Sequence, residues 1–344
     1  MTNKLNLACD YNQGAHPAIL KQMLENNLVK SGVYGEDAFS ESAKARIREA
    51  CKAPEADVWF LVGGTQTNAV VLDSVLRPYE GVISVETGHI CIHEAGAIER
   101  GGHKILAVKG RNGKLSAADI LACWDTWESD GNRDHVVKPG AVYLSNPTEL
   151  GTLYTLRELE DISSVCRDKG LCLYVDGARL AYALACPEND ITMPDLARLC
   201  DVFYIGGTKC GTLLGEALVF PEHNTVPGFF SVIKQHGAVL AKGFVAGIQF
   251  DALFTDGLYE KIGRKANETA EKLKAVFAAK GVELAAPSPT NQVFVLLTQK
   301  QMDDLDGKVG FSRWDPTRDG RWIVRFAVNW ATSDEEIEKL AELL

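Results

Sequence analysis

The apolar positions of this chain alternate between two rhythms. Short apolar runs at 58–62, 82–85, 104–108, 141–144 and 171–176, and one opening at Asp201, read as strands. Between them, apolar residues recur at helical spacing over 17–30, 40–52, 69–76, 116–127 and 156–169. Pro17 falls in the first turn of its helix, where a missing N–H costs no hydrogen bond. Strands alternating with helices of this length predict an α/β fold, with a mostly parallel central sheet covered by helices on both faces. From about Phe229 the pattern changes. A long helical stretch runs through Phe250, charged helices follow, and strands recur at 292–298 and 322–328. The last helix opens on Thr332-Ser-Asp-Glu-Glu336, a capping signal. This order predicts a large α/β domain over 1–245 and a smaller C-terminal α+β domain over 246–344.

Composition narrows the partners. With 46% hydrophobic and 24% charged residues in 344, the chain can bury a sizeable core. Its net charge of -10 argues against nucleic acid, which needs a clustered basic surface. A small anion remains allowed, because a few Arg or Lys side chains and backbone N–H groups neutralise one phosphate locally. Nine cysteines form no C-x-x-C pair, which suggests reduced thiols in a cytoplasmic protein. Cys91 and His93 lack a second ligand pair, so no metal site is expected. No apolar run is long enough for export or for a membrane span.

The candidate chemistry lies at strand ends. Leu171-Cys-Leu-Tyr-Val-Asp-Gly-Ala-Arg179 delivers a carboxylate, and Asp201-Val-Phe-Tyr-Ile-Gly-Gly-Thr-Lys-Cys-Gly211 delivers a lysine in a glycine-flanked turn. A lysine after a strand is ordinarily a surface residue. Paired with Asp176 on a parallel neighbour, Lys209 can instead hold pyridoxal 5'-phosphate (PLP) as a Schiff base, with Asp176 against the ring nitrogen. Gly63-Gly-Thr-Gln-Thr-Asn68 joins a strand to a helix and offers Gly64 and Thr65 as phosphate ligands, with Thr208 adding a hydroxyl. No Gly-Lys-[Ser/Thr] follows as in a P-loop, and no G-x-G-x-x-G suggests a nicotinamide site. His89 follows a strand end and can stack on a ring or move a proton, and His93 lies four residues on, beyond Ile90-Cys-Ile. Arg325, inside an apolar strand, needs either a substrate α-carboxylate or an internal salt bridge, and Arg179 poses the same choice.

Taken together, these segments resemble the threonine aldolase family of fold-type I PLP enzymes and the related β-eliminating lyases, over nearly the whole chain. Gly32-Val-Tyr-Gly-Glu-Asp37 looks like that family's early loop, and Gly64-Thr65 with Asn68 like its phosphate turn. His89 with Glu94-Ala-Gly resembles its ring-stacking segment, Asp176-Gly-Ala-Arg179 its pyridine-nitrogen strand, Thr208-Lys209 its Schiff-base lysine and Arg325 its carboxylate arginine. The resemblance implies a homotetramer, a dimer of catalytic dimers, that brings Tyr34 near a neighbour's site. One segment departs. Where many threonine aldolases carry Asn-Thr-His, this chain reads Ser145-Asn-Pro-Thr-Glu149, closer to phenylserine-type aldolases, with Glu149 or Thr148 at the position of the histidine. The implied activity is cleavage of an L-β-hydroxy-α-amino acid, such as threonine, allo-threonine or phenylserine, to glycine and an aldehyde. His89, or a water held by Glu149, is the implied base at the β-hydroxyl. A β-eliminating lyase or an aminotransferase would use the same Lys and Asp, and a cofactor-free member of the fold would be colourless.

Overall fold

The computed structural model describes residues 4–344. Strand β1 (Leu5–Asn6) is followed by seven strands that form one sheet: β2 (Asp57–Leu61), β3 (Glu80–Val85), β4 (Ile105–Val108), β5 (Lys138–Ser145), β6 (Cys172–Asp176), β7 (Val202–Gly206) and β8 (Glu216–Phe220). Their order is β2-β8-β7-β6-β5-β3-β4. Every neighbouring pair is parallel except the two involving β8, which runs against both β2 and β7. β3 and β5–β8 are buried almost throughout, as strands covered on both faces must be. One apolar layer contains Ile47, Trp124, Ile162, Leu196 and Phe250; the other contains Val71, Ile98, Phe229 and Ile233.

Later strands are β9 (Gln292–Leu297), β10 (Val309–Gly310), β11 (Ser312–Pro316) and β12 (Trp322–Ala327). An antiparallel sheet ordered β11-β12-β9 carries the second core, with Phe277, Val295 and Phe326. Leu5 and Leu7 join that core, and β1 pairs with β10, so the start of the chain is sewn into the C-terminal part. The expected break near 245 falls at the start of helix Phe244–Leu253, which packs on helix Ala38–Cys51; the 22-residue helix Leu258–Ala279 leads to the second sheet.

Local signals account for the helix ends. Thr155 with Glu158, Thr192 with Asp195 and Ser333 with Glu336 form reciprocal capping boxes. The helix expected over 17–30 stops at Glu25, where Asn26 turns its side chain back onto the Gln22 carbonyl. The long stretch expected from Phe229 through Phe250 is two helices, Phe229–Gln235 and Phe244–Leu253; Gly237, at φ +66°, breaks it. Among the described residues, no helix is long and apolar enough to cross a membrane.

Candidate active site

Four segments converge at the carboxyl edge of the large sheet. β6 ends on Asp176, β7 runs into the turn carrying Lys209, and helix Gly64–Val75 starts after β2. Glu216 opens β8 at this same edge because that strand is reversed. Ligands collect here in open α/β sheets. A cavity of about 340 Å³ is lined by Gly64, Thr65, His89, Glu149, Asp176, Arg179, Thr208 and Lys209.

Asp176 is buried among donors. Oδ1 accepts from the Tyr204 hydroxyl at 2.6 Å and the Ala178 N–H at 2.9 Å; Oδ2 accepts from the Tyr143 hydroxyl at 2.7 Å and Asn68 Nδ2 at 3.1 Å. Burial pushes its pKa up, but the His89 imidazole and these donors more than offset that, leaving it below its ordinary value. Burial and the Asp176 charge hold the Tyr143 and Tyr204 phenols well above theirs, so both stay protonated donors.

Asn68, expected at the phosphate turn, lies buried beneath the cavity. Its Nδ2 also donates to Glu94 Oε1 at 2.6 Å, and its Oδ1 accepts from Tyr174 at 2.7 Å. Glu94 Oε1 lies 2.7 Å from His89 Nδ1, which fixes the orientation of that ring. The phosphate turn itself is Gly63 to Thr65. Gly63 caps helix Gly64–Val75 without a side-chain hydrogen bond, so first-turn N–H groups face the cavity uncapped. A Cβ at Gly64 would stand 3.0 Å from the Tyr204 hydroxyl oxygen, a tighter approach than most side chains make. The Thr208 hydroxyl accepts from the Gly215 N–H at 3.2 Å.

Lys209 is partly buried, its Nζ 5.8 Å from the centre of the Tyr11 ring. Burial and the Arg179 charge pull its pKa down, against the carboxylates of Asp10, Asp176 and Glu216. That shift moves the amine toward its neutral form.

The two arginines resolve differently. Arg179 faces the cavity but is clamped to Asp10, Nε to Oδ2 at 2.7 Å and Nη2 to Oδ1 at 3.0 Å. Burial alone would raise the Asp10 pKa; Arg179, Lys209 and Asn291 bring it far below its ordinary value. Arg325 has no carboxylate partner among the described residues. Its Nη1 donates to Gln292 Oε1 at 3.0 Å, its Nη2 to Ala8 O and Ser312 Oγ at 3.3 Å each, and its buried Nε to nothing. The Trp314 ring lies 5.6 Å below the guanidinium.

Glu149 is buried after the cis bond Asn146–Pro147. Its Oε1 accepts from the His89 N–H at 2.9 Å and from Ser145 at 2.6 Å, while its Oε2 has no partner. Burial raises its pKa. Tyr34 is not brought to this site within one chain; it lines an apolar cleft with Trp59 and Phe230, and Lys234 Nζ lies 5.1 Å over its ring. Among the described residues no His, Cys, Asp or Glu cluster could hold a metal ion.

Sequence reasoning missed Asp10, Tyr11, Glu94 as a hydrogen-bonding partner, the tyrosine donors and Glu216. The one local signal for Glu216 was the apolar run Glu216-Ala-Leu-Val-Phe220 after a glycine-rich turn, a strand that period counting passed over. These residues suit a phosphorylated pyridine aldehyde: a deep carboxylate, an uncapped helix start, a lysine amine and an imidazole all face one cavity.

Comparisons with known proteins give the chain's family and fold. A family model described as beta-eliminating lyase matches residues 6–300. A low specificity L-threonine aldolase of Pseudomonas sp. (strain NCIMB 10558) is 30% identical over 97% of this chain and 95% of its own. One from Saccharomyces cerevisiae is 25% identical, covering 90% of this chain and 83% of its own. The structure of Leishmania major threonine aldolase superposes with a TM-score of 0.94 at 43% identity, over 98% of each chain. Thermus thermophilus aspartate aminotransferase, at 16% identity and a TM-score of 0.73, shares the fold alone, over 99% of this chain and 90% of its own. The fold is therefore the fold-type I, aminotransferase-like one that the family resemblance implied, on the parallel sheet expected from the alternation of strands and helices.

Proposed function

The chain belongs to the beta-eliminating lyase family, and from that premise we propose that it is a PLP-dependent aldolase of the threonine aldolase type. It would cleave L-threonine, L-allo-threonine or a related L-β-hydroxy-α-amino acid, phenylserine included, to glycine and an aldehyde. The observation that carries this reading is Asp176, ionised within its ring of donors, in the same cavity as Lys209 and an uncapped helix start.

When bound, PLP supplies an electron sink for the pair released as the Cα–Cβ bond breaks. Lys209, held toward its neutral form, is the amine that secures the cofactor's aldehyde carbon. Asp176 keeps a proton on the ring nitrogen, and Gly64, Thr65 and Thr208 receive the phosphate. His89, fixed by Glu94, would pack against the ring. Arg325, which has no carboxylate partner among the described residues, would take the substrate α-carboxylate and so orient the bonds at Cα. Glu149 has an unpartnered oxygen and a raised pKa, which suits it to hold or pass the β-hydroxyl proton through a water.

The test is to supply L-threonine, L-allo-threonine, L-phenylserine and L-cysteine, identify the products and record the visible spectrum of the parent and of Lys209→Ala. Glycine and an aldehyde are expected from the parent, and neither turnover nor a covalently linked cofactor band from the variant. Pyruvate and ammonia would establish a β-eliminating lyase instead. A homotetramer goes with this reading. Its support is the exposed strip of Leu24, Leu28, Val29, Val33 and Tyr34 along the N-terminal segment, and light scattering of the purified protein tests it.

A further inference from the structure

Glu216 has no part in the chemistry above, yet it lines the same cavity and is 3% exposed. Its place follows from strand register. β8 lies between β2 and β7, and Glu216 is paired with Leu61 on one side and Gly206 on the other. Immediately beyond Leu61 comes the uncapped helix start at Gly64 and Thr65; immediately beyond Gly206 come Gly207 and Thr208. The carboxyl group therefore sits between the two arms that the functional reading assigns to the phosphate. Its Oε2 accepts from the Gly207 N–H at 2.9 Å, and the Thr208 side chain also hydrogen-bonds to it.

A charged carboxylate between two anion-binding arms would oppose a phosphate at close range and in low dielectric. A protonated carboxyl there is instead a hydrogen-bond donor. Burial pushes its pKa up to about 7, with Asp176 adding to the rise, while the Gly207 N–H, the Thr208 hydroxyl and the Lys209 charge draw it down. The other titratable groups turned toward it are Tyr174, Tyr204, Cys210 and Tyr259, all held above their ordinary values by burial and so uncharged.

We propose that Glu216 is a carboxylic acid built into the phosphate cup, where it brings the proton that it donates to the cofactor's phosphate, so that cofactor affinity falls as the solution becomes more basic. This rests on the PLP reading of the site. The sign follows from linkage: the carboxyl and phosphate share one proton, and binding weakens wherever that proton must first be taken up from solution.

The test uses protein freed of cofactor, with PLP binding followed by its visible band and inorganic phosphate competing as a second probe, from pH 6 to 8.5. The variant is Glu216→Gln, which keeps an oxygen for the Gly207 N–H and offers a permanent, uncharged donor. For the parent, the PLP dissociation constant should rise by up to about tenfold per pH unit above 7, the limit for one proton. Glu216→Gln should bind with at least the parent's affinity at pH 8 and lose most of that slope, and phosphate should show the same contrast. Circular dichroism on both proteins establishes that the variant is folded. Equal slopes in parent and variant, or a parent affinity independent of pH, overturns the proposal while leaving the PLP assignment standing. A parent that develops no visible band with PLP overturns both.

Discussion

Replacing Arg325 by methionine removes a guanidinium while keeping most of the side chain's apolar length. In the free protein this group donates to Gln292, Ala8 and Ser312 and faces no carboxylate among the described residues. Two consequences follow, one for binding and one for stability. A bidentate, charge-assisted contact to a substrate carboxylate is lost, at about 2–5 kcal/mol. At 1.4 kcal/mol per factor of ten, KM should rise roughly 30- to 4,000-fold, with kcat less affected because the carboxylate is gripped before and during bond cleavage. Stability should hardly move. Gln292 Oε1 loses a donor, costing about 1–3 kcal/mol. Against this, a cation drawn out of water beside Arg179 is relieved, and burial penalties of that kind are also a few kcal/mol. Urea unfolding of the two cofactor-free proteins should therefore agree within about 1 kcal/mol, well short of the loss of about 3–5 kcal/mol that a broken ion pair would give. Steady-state kinetics on the amino acid that the parent cleaves fastest gives KM. A KM within threefold of the parent's, combined with a destabilisation of about 3–5 kcal/mol, is the signature of a broken internal ion pair and would refute the carboxylate assignment.

Other substitutions separate positioning from pairing. Arg179→Met strands the buried Asp10 carboxylate with Asn291 as its remaining donor, so unfolding should show a loss of about 3–5 kcal/mol, opposite to Arg325→Met. Asp176→Asn removes the charge that holds a proton on the ring nitrogen and keeps an acceptor oxygen for only one of Tyr143 and Tyr204; PLP should still bind, while kcat falls by about 10²- to 10⁴-fold, the range typical of a lost proton-holding group. An unchanged kcat would remove Asp176 from the mechanism. Glu149 has a folded-state pKa raised above its unfolded value, so its contribution to stability is present below the ordinary glutamate range and lost as pH rises through the raised value. Glu149→Gln should gain stability relative to the parent as pH is raised from 4 to 8; parallel unfolding profiles would contradict the raised pKa.

What the sequence determined here is local. Apolar runs separated by helical periods specify a parallel sheet, and in such a sheet the residue that ends a strand lies at the ligand edge. Asp176 and Lys209 were legible for that reason, as were the turn at Gly64 and the histidine at 89. Three things were left to the tertiary structure. The reversed direction of β8 follows from its return along β7 through the glycine-rich loop 207–215 and brings Glu216 to the site; reading period alone gives no strand direction. The partner of each arginine depended on residues far along the chain. Asp10 reaches Arg179 across 169 positions, while Arg325 reaches only neutral oxygens from Ala8, Gln292 and Ser312. The charge state of Asp176 likewise depended on Asn68, Tyr143 and Tyr204, which meet because their elements pack side by side. Hydrophobic period encodes which face of an element is buried; which polar group meets which inside that burial is decided by packing, and hydrogen bonds between distant segments leave no periodic trace in the chain.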